Sequence, residues 1–298
     1  MRRLRIIMVI ALLAISQNAY AQNREISAQA IKPIELPQTQ GKLRIVALAN
    51  GSAEIVSALG LRSSLVGRDI ASTTPELRSV PIVTAGHQVV PEKIISLKPD
   101  VVIIDSGSGP QSAIKTLKTA KIKVSLINEA WKVSEIYNKI SQIGTIVGDR
   151  KRAQELNTRI KTTIGQSSID IKWKPRVVFL YLRGPSSIYL MGGPGSGADS
   201  LIHELGGIDV GAQLLKNPFN SLTSEALISA NPDIFLVMTK GLQSVGGVTG
   251  FVKLPGVAQT KAGKNRTILS VDDSLLLSFG PRTPNLLVAM AEAFKGFK

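Results

Sequence analysis

The chain carries one structural unit twice, and that repetition limits its fold more than any other feature. Pro91-Glu92-Lys93-Ile94-Ile95-Ser96-Leu97-Lys98-Pro99-Asp100 leads into the apolar run Val101–Ile104. At an offset of 133, Ser224-Glu225-Ala226-Leu227-Ile228-Ser229-Ala230-Asn231-Pro232-Asp233 leads into Ile234–Val237. Glu, Ile, Ser, Pro and Asp coincide. Each copy reads as a short helix, a Pro-Asp turn and a strand rich in Val and Ile, the composition of a parallel strand covered on both faces. The starts of the copies match as well. Arg44-Ile45-Val46-Ala47-Leu48 and Arg176-Val177-Val178-Phe179-Leu180 stand 132 apart, and each precedes a loop and a helix that closes on Leu-Gly, at Leu59-Gly60 and Leu205-Gly206. The second copy has an insertion that includes Gly184–Gly197. Strand–helix alternation in two copies implies an α/β protein of two doubly wound lobes.

Between the copies, Ile136, Ile140, Ile143, Val147, Leu156, Ile160 and Ile164 recur at three- and four-residue steps, with a polar gap over Gly148–Arg152. The spacing predicts a linking helix over 134–166, N-capped by Ser134, its periodic stretch Ser134–Ile164 about 46 Å long if straight, with Gly144 and Gly148 as places to bend. The lobes are then 42–133 and 174–298, with Pro175 opening the second. Residues 22–41 are polar, contain Pro33 and Pro37 and show no period, so they read as a flexible leader.

Ahead of that leader, Arg2, Arg3 and Arg5, the apolar run Ile6–Ile15 and the small residues of Ala19-Tyr20-Ala21 form a secretory signal over 1–21, with cleavage expected before Gln22. The apolar run is well short of the ~20 residues that span a bilayer. The chain has no Cys. That excludes a lipid-modified cysteine, a disulfide framework, a thiolate metal site and covalent haem attachment. The expected product is a periplasmic protein, released by cleavage and not lipidated. Its two His leave no room for a three-His metal cage. The formal net charge of +15 falls to +12 when the three arginines of the signal are removed. Such an excess favours an anionic partner, and a periplasmic address sets nucleic acid aside.

Two α/β lobes, one connecting helix and a cleavable signal resemble the helical-backbone class of periplasmic substrate-binding proteins, which serve ABC importers of haem, siderophores and cobalamin. The resemblance covers Lys42 to the C-terminus. It implies a ligand held in the cleft between lobes, where strand C-terminal ends and the loops after them converge.

Thr84-Ala85-Gly86-His87-Gln88-Val89-Val90-Pro91-Glu92 is similar to a Gly-His-x-x-x-Pro-Glu pattern of a haem-binding branch, which implies His87 as an axial ligand of the haem iron. Tyr181 and Arg183, two apart and so on one side of an extended strand, resemble that branch's Tyr-x-Arg. This implies Tyr181 as the second axial ligand and Arg183 as its helper. A tyrosinate is a hard donor for Fe(III), and a neighbouring guanidinium favours the phenolate. Tyr189, in Ser187-Ile188-Tyr189-Leu190-Met191, is the rival, as ligand or as a ring stacked on the porphyrin; Met191 reads as core. The Gly-rich run Gly192–Ser200 enters a helix and is either a simple turn or a place where free N–H groups hold a propionate. It has neither the Gly-Lys-Ser/Thr of a P-loop nor a nucleophile elbow. His203, on that helix, reads as structural or solvent-facing. Arg282, in Ser278-Phe279-Gly280-Pro281-Arg282-Thr283-Pro284, resembles a late family signature and is a candidate propionate partner.

Binding proteins of this class carry one surface Glu per lobe that pairs with arginines of the permease. The resembling positions are Glu54 and Glu225, and Glu92 is the repeat counterpart of Glu225. The expectation is a monomeric carrier of haem b, bound non-covalently, that catalyses nothing. It would take haem from an outer-membrane receptor system and deliver it to an inner-membrane ABC permease and ATPase. A ferric siderophore or cobalamin is the alternative ligand. A divalent-metal binder lacks companion ligands here, and a hydrolase lacks a nucleophile–base–orienter set.

Overall fold

The computed structural model describes residues 23–166, 171–186 and 188–298; the expected signal segment lies outside them. The N-lobe sheet is parallel, in the order Leu65–Arg68, Ile45–Ala47, Val101–Ile104, Lys123–Leu126. The C-lobe sheet has a parallel half, Asn23–Ile26, Ile268–Val271, Ile234–Met238 and Arg176–Arg183. The antiparallel strands Ile188–Gly192 and Phe219–Ser221 extend it beyond Arg176–Arg183, and the short strand Ile208–Asp209 pairs with the start of Arg176–Arg183. The repeated strands Val101–Ile104 and Ile234–Met238 are buried at every residue, as strands covered on both faces must be.

The repeat holds down to register and hydrogen bonds. Ile45 pairs with Val101 in one lobe, and their counterparts Val177 and Ile234 pair in the other. The Arg44 amide donates to Asp100 Oδ2 (2.7 Å), and the Arg176 amide to Asp233 Oδ2 (2.9 Å). The Arg44 guanidinium donates to Leu97 O and that of Arg176 to Ala230 O, both at 2.8 Å and again 133 apart. The Pro-Asp turn therefore recurs for a reason. Its Asp fastens one strand start to the next, while the Arg satisfies a carbonyl at the preceding helix end that has no partner within the helix. Both Leu-Gly helix ends turn through left-handed glycine, Gly60 (φ 79°) and Gly206 (φ 70°), the ordinary helix stop.

Two expectations change. Residues 23–41 are a strap and not a loose leader. Asn23–Ile26 forms the edge strand of the C-lobe sheet, parallel to Ile268–Val271. The chain then crosses to the N-lobe, burying Ile31 and Leu36, with Ile34 N donating to Pro281 O and Leu36 N to Ala58 O. The linker is likewise two helices, Ile136–Ile146 and Arg150–Gln166, folded back on each other at Gly148 (φ 78°). Asn157 donates to Tyr137 O (2.9 Å), and a Cβ on Gly144 would fall 2.3 Å from that of Ala153. The helix that bridges the lobes is thus the second one, about 25 Å long. Ser134 is not the cap: it lies within a turn, Val133–Glu135, ahead of the helix, and the Glu135 carboxylate reaches back to accept the amides of Trp131 and Lys132.

One buried cluster runs through both lobes and the bridge, including Leu59, Ile143, Ile160, Phe179, Leu201 and Leu287. Each lobe has a second cluster on its other sheet face, around Val102 and Ile114 in the N-lobe and around Phe235 and Phe251 in the C-lobe. A shared core, a bridge and a strap thus all tie the two lobes together.

Candidate functional site

Loops that follow the C-terminal strand ends of both sheets meet at the lobe junction. Asn50, after Ile45–Ala47, donates to Leu277 O (2.9 Å) in the loop beyond Ile268–Val271. Lys139 donates to Ser278 O (2.8 Å), and the Val133 amide to Ser200 Oγ (3.0 Å). These contacts tie the two lobes together at their junction.

His87 stands at the tip of a two-residue hairpin, Thr84–Ala85 with Gln88–Val89, that turns through Gly86 (φ 56°). The hairpin is seated on strand C-terminal ends. Ile82 bridges to Arg68, and Gln88 bridges to Gly109, with the Val89 amide donating to Gly109 O (2.7 Å). The imidazole is exposed and makes no hydrogen bond among the described residues.

Tyr181 lies near the C-terminal end of the long C-lobe strand. Its ring packs edge-on against Phe219 at 5.8 Å, and the Arg183 guanidinium lies over it, 4.5 Å from the centroid. Arg183 is held there by Leu182 O (2.9 Å) and Asp273 (3.5 Å), whose other oxygen takes the Lys240 amide. The two residues share a strand face, as the i, i+2 spacing requires. Tyr189 does not join them. It pairs with Leu182, and so lies on the opposite face, against the outer cluster of the C-lobe. Met191 belongs to that cluster and is buried.

Glu54 and Arg282 lie elsewhere than the sequence suggests. They are bound to each other, with Arg282 Nη2 2.8 Å from Glu54 Oε2 and side-chain exposures of 3% and 7%. Arg282 also donates to Ser274 O (2.9 Å). Burial takes Glu54 off the surface and Arg282 out of reach of a ligand in the cleft. Glu225 is exposed, and so is Glu92 on the matching helix of the N-lobe. The Gly-rich turn satisfies its own amides: Asp199 accepts from Gly195 N (2.8 Å) and Gly197 N (2.9 Å), which leaves those two donors nothing for a propionate. His203 is solvent-exposed.

Burial displaces the titration of one group near the lobe junction and of another near the Gly-rich turn. Burial pulls Lys139 down to about 8, against the opposing influence of Asp105, Glu54 and Glu129. Burial pushes Asp209 up to about 6; its Oδ1 accepts the Ala212 amide and its Oδ2 has no partner. Sequence reasoning also passes over Trp131. It lies in the loop after Lys123–Leu126, with Nε1 donating to Glu129 Oε2 (2.9 Å) while Ser106 Oγ donates to Glu129 Oε1 (2.6 Å). An aromatic residue just beyond a strand C-terminal end was the available signal. Among the described residues no cluster of three or more His, Asp or Glu is placed to hold a metal ion, and no helix is long and apolar enough to cross a membrane.

Residues 45–275 match the family model of periplasmic binding proteins. The chain is 30% identical over 259 residues to the ABC transporter substrate-binding lipoprotein YvrC of Bacillus subtilis, covering 84% of this chain and 79% of that protein. Among solved structures it is similar to the periplasmic heme-binding protein RhuT of Roseiflexus sp. RS-1 in apo form, at 34% identity and a TM-score of 0.81 over 86% of this chain and 99% of that one. It is also similar to the heme-binding protein HmuT, at 27% identity and a TM-score of 0.80 over 92% and 97%. Structures of HmuT have been solved with a histidine, a tyrosine or an arginine replaced by alanine, the tyrosine and arginine two positions apart. With 45–275 matched by the family model, this chain belongs to the periplasmic binding protein family.

Proposed function

We propose that this protein captures haem in the periplasm and hands it to an inner-membrane ABC importer. What supports the reading is one iron-ligand candidate near the C-terminal strand ends of each lobe. Tyr181, with a cation fixed over its ring, stands at the strand end of one lobe, and His87 stands on a hairpin seated on the strand ends of the other. A phenolate and an imidazole from opposite lobes suit the two axial positions of one Fe(III) haem b. The solved neighbours named heme-binding proteins support the ligand. Tyr181 is preferred to Tyr189 because Arg183 accompanies it and Tyr189 lies on the other sheet face. The haem is cargo, and no bond in it is made or broken.

The docking pair is best read as Glu92 and Glu225. They are repeat counterparts, both exposed, and each stands three residues before an exposed isoleucine, Ile95 and Ile228. The mature protein acts as a monomer released by signal cleavage, without a lipid, since no Cys is available for one. An outer-membrane receptor supplies the haem.

Titration of the purified mature protein with hemin tests this directly. A Soret shift saturating at a fixed stoichiometry is expected, altered in position by His87→Ala and by Tyr181→Ala. Absence of a shift, with saturable binding of a ferric siderophore or cobalamin, would overturn the ligand.

A further inference from the structure

We propose that Trp131 is a stacking wall for the porphyrin plane on the N-lobe side, held in place by Glu129. The proposal rests on the haem reading above.

The chain has two tryptophans. Trp173 packs against the main core. Trp131 is half-buried yet belongs to none of the three hydrophobic clusters among the described residues. A large aromatic side chain outside the core, at the C-terminal edge of an α/β sheet, is where such folds place ligand contacts. The surrounding bonds fix its pose. The indole N–H donates to Glu129 Oε2 (2.9 Å), and Ser106, from the loop after the neighbouring strand, holds the other oxygen of Glu129 at 2.6 Å. The Trp131 amide is tied to Glu135 (2.8 Å). Its loop then reaches the C-lobe two residues on, where the Val133 amide donates to Ser200 Oγ, so Trp131 stands in the segment that meets the lobe junction.

This bracing matters for binding. An indole whose N–H already has a partner loses no hydrogen bond when an apolar plane covers its face, and a ring fixed beforehand gives up little freedom. Glu129 is a positioning residue, acting through Trp131. The contact is blind to iron, which separates it from His87 and Tyr181.

Hemin and iron-free protoporphyrin IX are titrated into the mature wild type, Trp131→Phe, Trp131→Leu and Glu129→Ala. Trp131→Leu is expected to weaken both ligands by about tenfold without moving the Soret maximum of the hemin complex, a magnitude typical of an aromatic stack. Trp131→Phe should keep most of the affinity. Glu129→Ala should fall between them. His87→Ala should move the Soret maximum and leave protoporphyrin affinity unchanged. If Trp131→Leu binds both porphyrins as tightly as Trp131→Phe does, the stacking role is wrong while the haem reading stands. If the wild type binds neither porphyrin, the haem reading falls and the stacking wall with it.

Discussion

Arg282 of the C-lobe closes on Glu54 of the N-lobe as a buried ion pair, 2.8 Å at its shortest, next to the point where Lys139 holds Ser278 O. A charge left alone at such a site is far more costly than the pair is favourable. Glu54→Ala or Arg282→Ala should each lower unfolding free energy by about 3–5 kcal/mol, whereas Glu54→Leu combined with Arg282→Met should cost much less. Urea denaturation of the four proteins checks this. Single variants as stable as wild type would show that the pair does not secure the lobe junction.

Arg183 lies on the Tyr181 ring, held there by Leu182 O and Asp273. Its removal should weaken hemin binding by roughly tenfold, about 1.4 kcal/mol, and Arg183→Lys should recover only part, because a point charge does not stack as a guanidinium does. Hemin titration measures both. Equal affinity in Arg183→Ala would leave the arginine to its contact with Asp273.

Lys139 titrates near 8 in the folded protein against 10.5 unfolded, because burial disfavours its charge. Between those values the unfolded chain holds a proton that the folded chain has released, so this residue adds stability as pH rises from 8 to 10.5. The cost of burying the charge at neutral pH is on the order of 3 kcal/mol. Lys139→Met should therefore be closer to wild type at pH near 10 than at pH 7, its advantage at pH 7 reduced by the loss of a donor to Ser278 O. Denaturation curves at the two pH values, variant against wild type, give the difference. A gap that does not change with pH would contradict the assignment.

Asp209 has the opposite sign. Its folded value near 6 exceeds 3.8, so the folded chain holds the extra proton and stability from this group declines as pH climbs through that window. Asp209→Asn keeps an oxygen for the Ala212 amide and removes the charge. It should stabilise the protein by about 1–3 kcal/mol at pH 7 and by almost nothing below pH ~4. Thermal unfolding at pH 4 and pH 7 separates these outcomes.

Charge reversal at Glu92 and Glu225 should leave hemin titration unchanged and cut haem-stimulated ATPase of the reconstituted importer more than about tenfold when both are changed. Retained stimulation would move docking to another face.

The repeat is legible in the sequence to the level of register, since a Pro-Asp turn and its Arg partner recur at fixed offsets and hydrogen-bond alike in both lobes. The Tyr-x-Arg spacing likewise carries its own geometry, because alternation in a strand puts both side chains on one face. Other features leave no such trace. Asn23–Ile26 is three-quarters exposed along an edge and has no hydrophobic period to announce a strand; its partner, Ile268–Val271, lies at the far end of the chain. A periodic apolar pattern reads alike for one long helix and for two helices folded on a glycine.

What the sequence alone determined is therefore local and repetitive: two α/β units, the strands within them, and the short motifs that carry Tyr181, Arg183 and His87. Only the tertiary structure decided which side chains are buried against each other and which stay exposed. Glu54 and Arg282 stand 228 positions apart and become a buried pair, Glu129 turns Trp131 toward its pose, and strand pairing sends Tyr189 to the face opposite Tyr181. The physical reason is that burial and partner choice depend on elements that close from distant parts of the chain, and charge or aromaticity at a single position does not say what will come to rest against it.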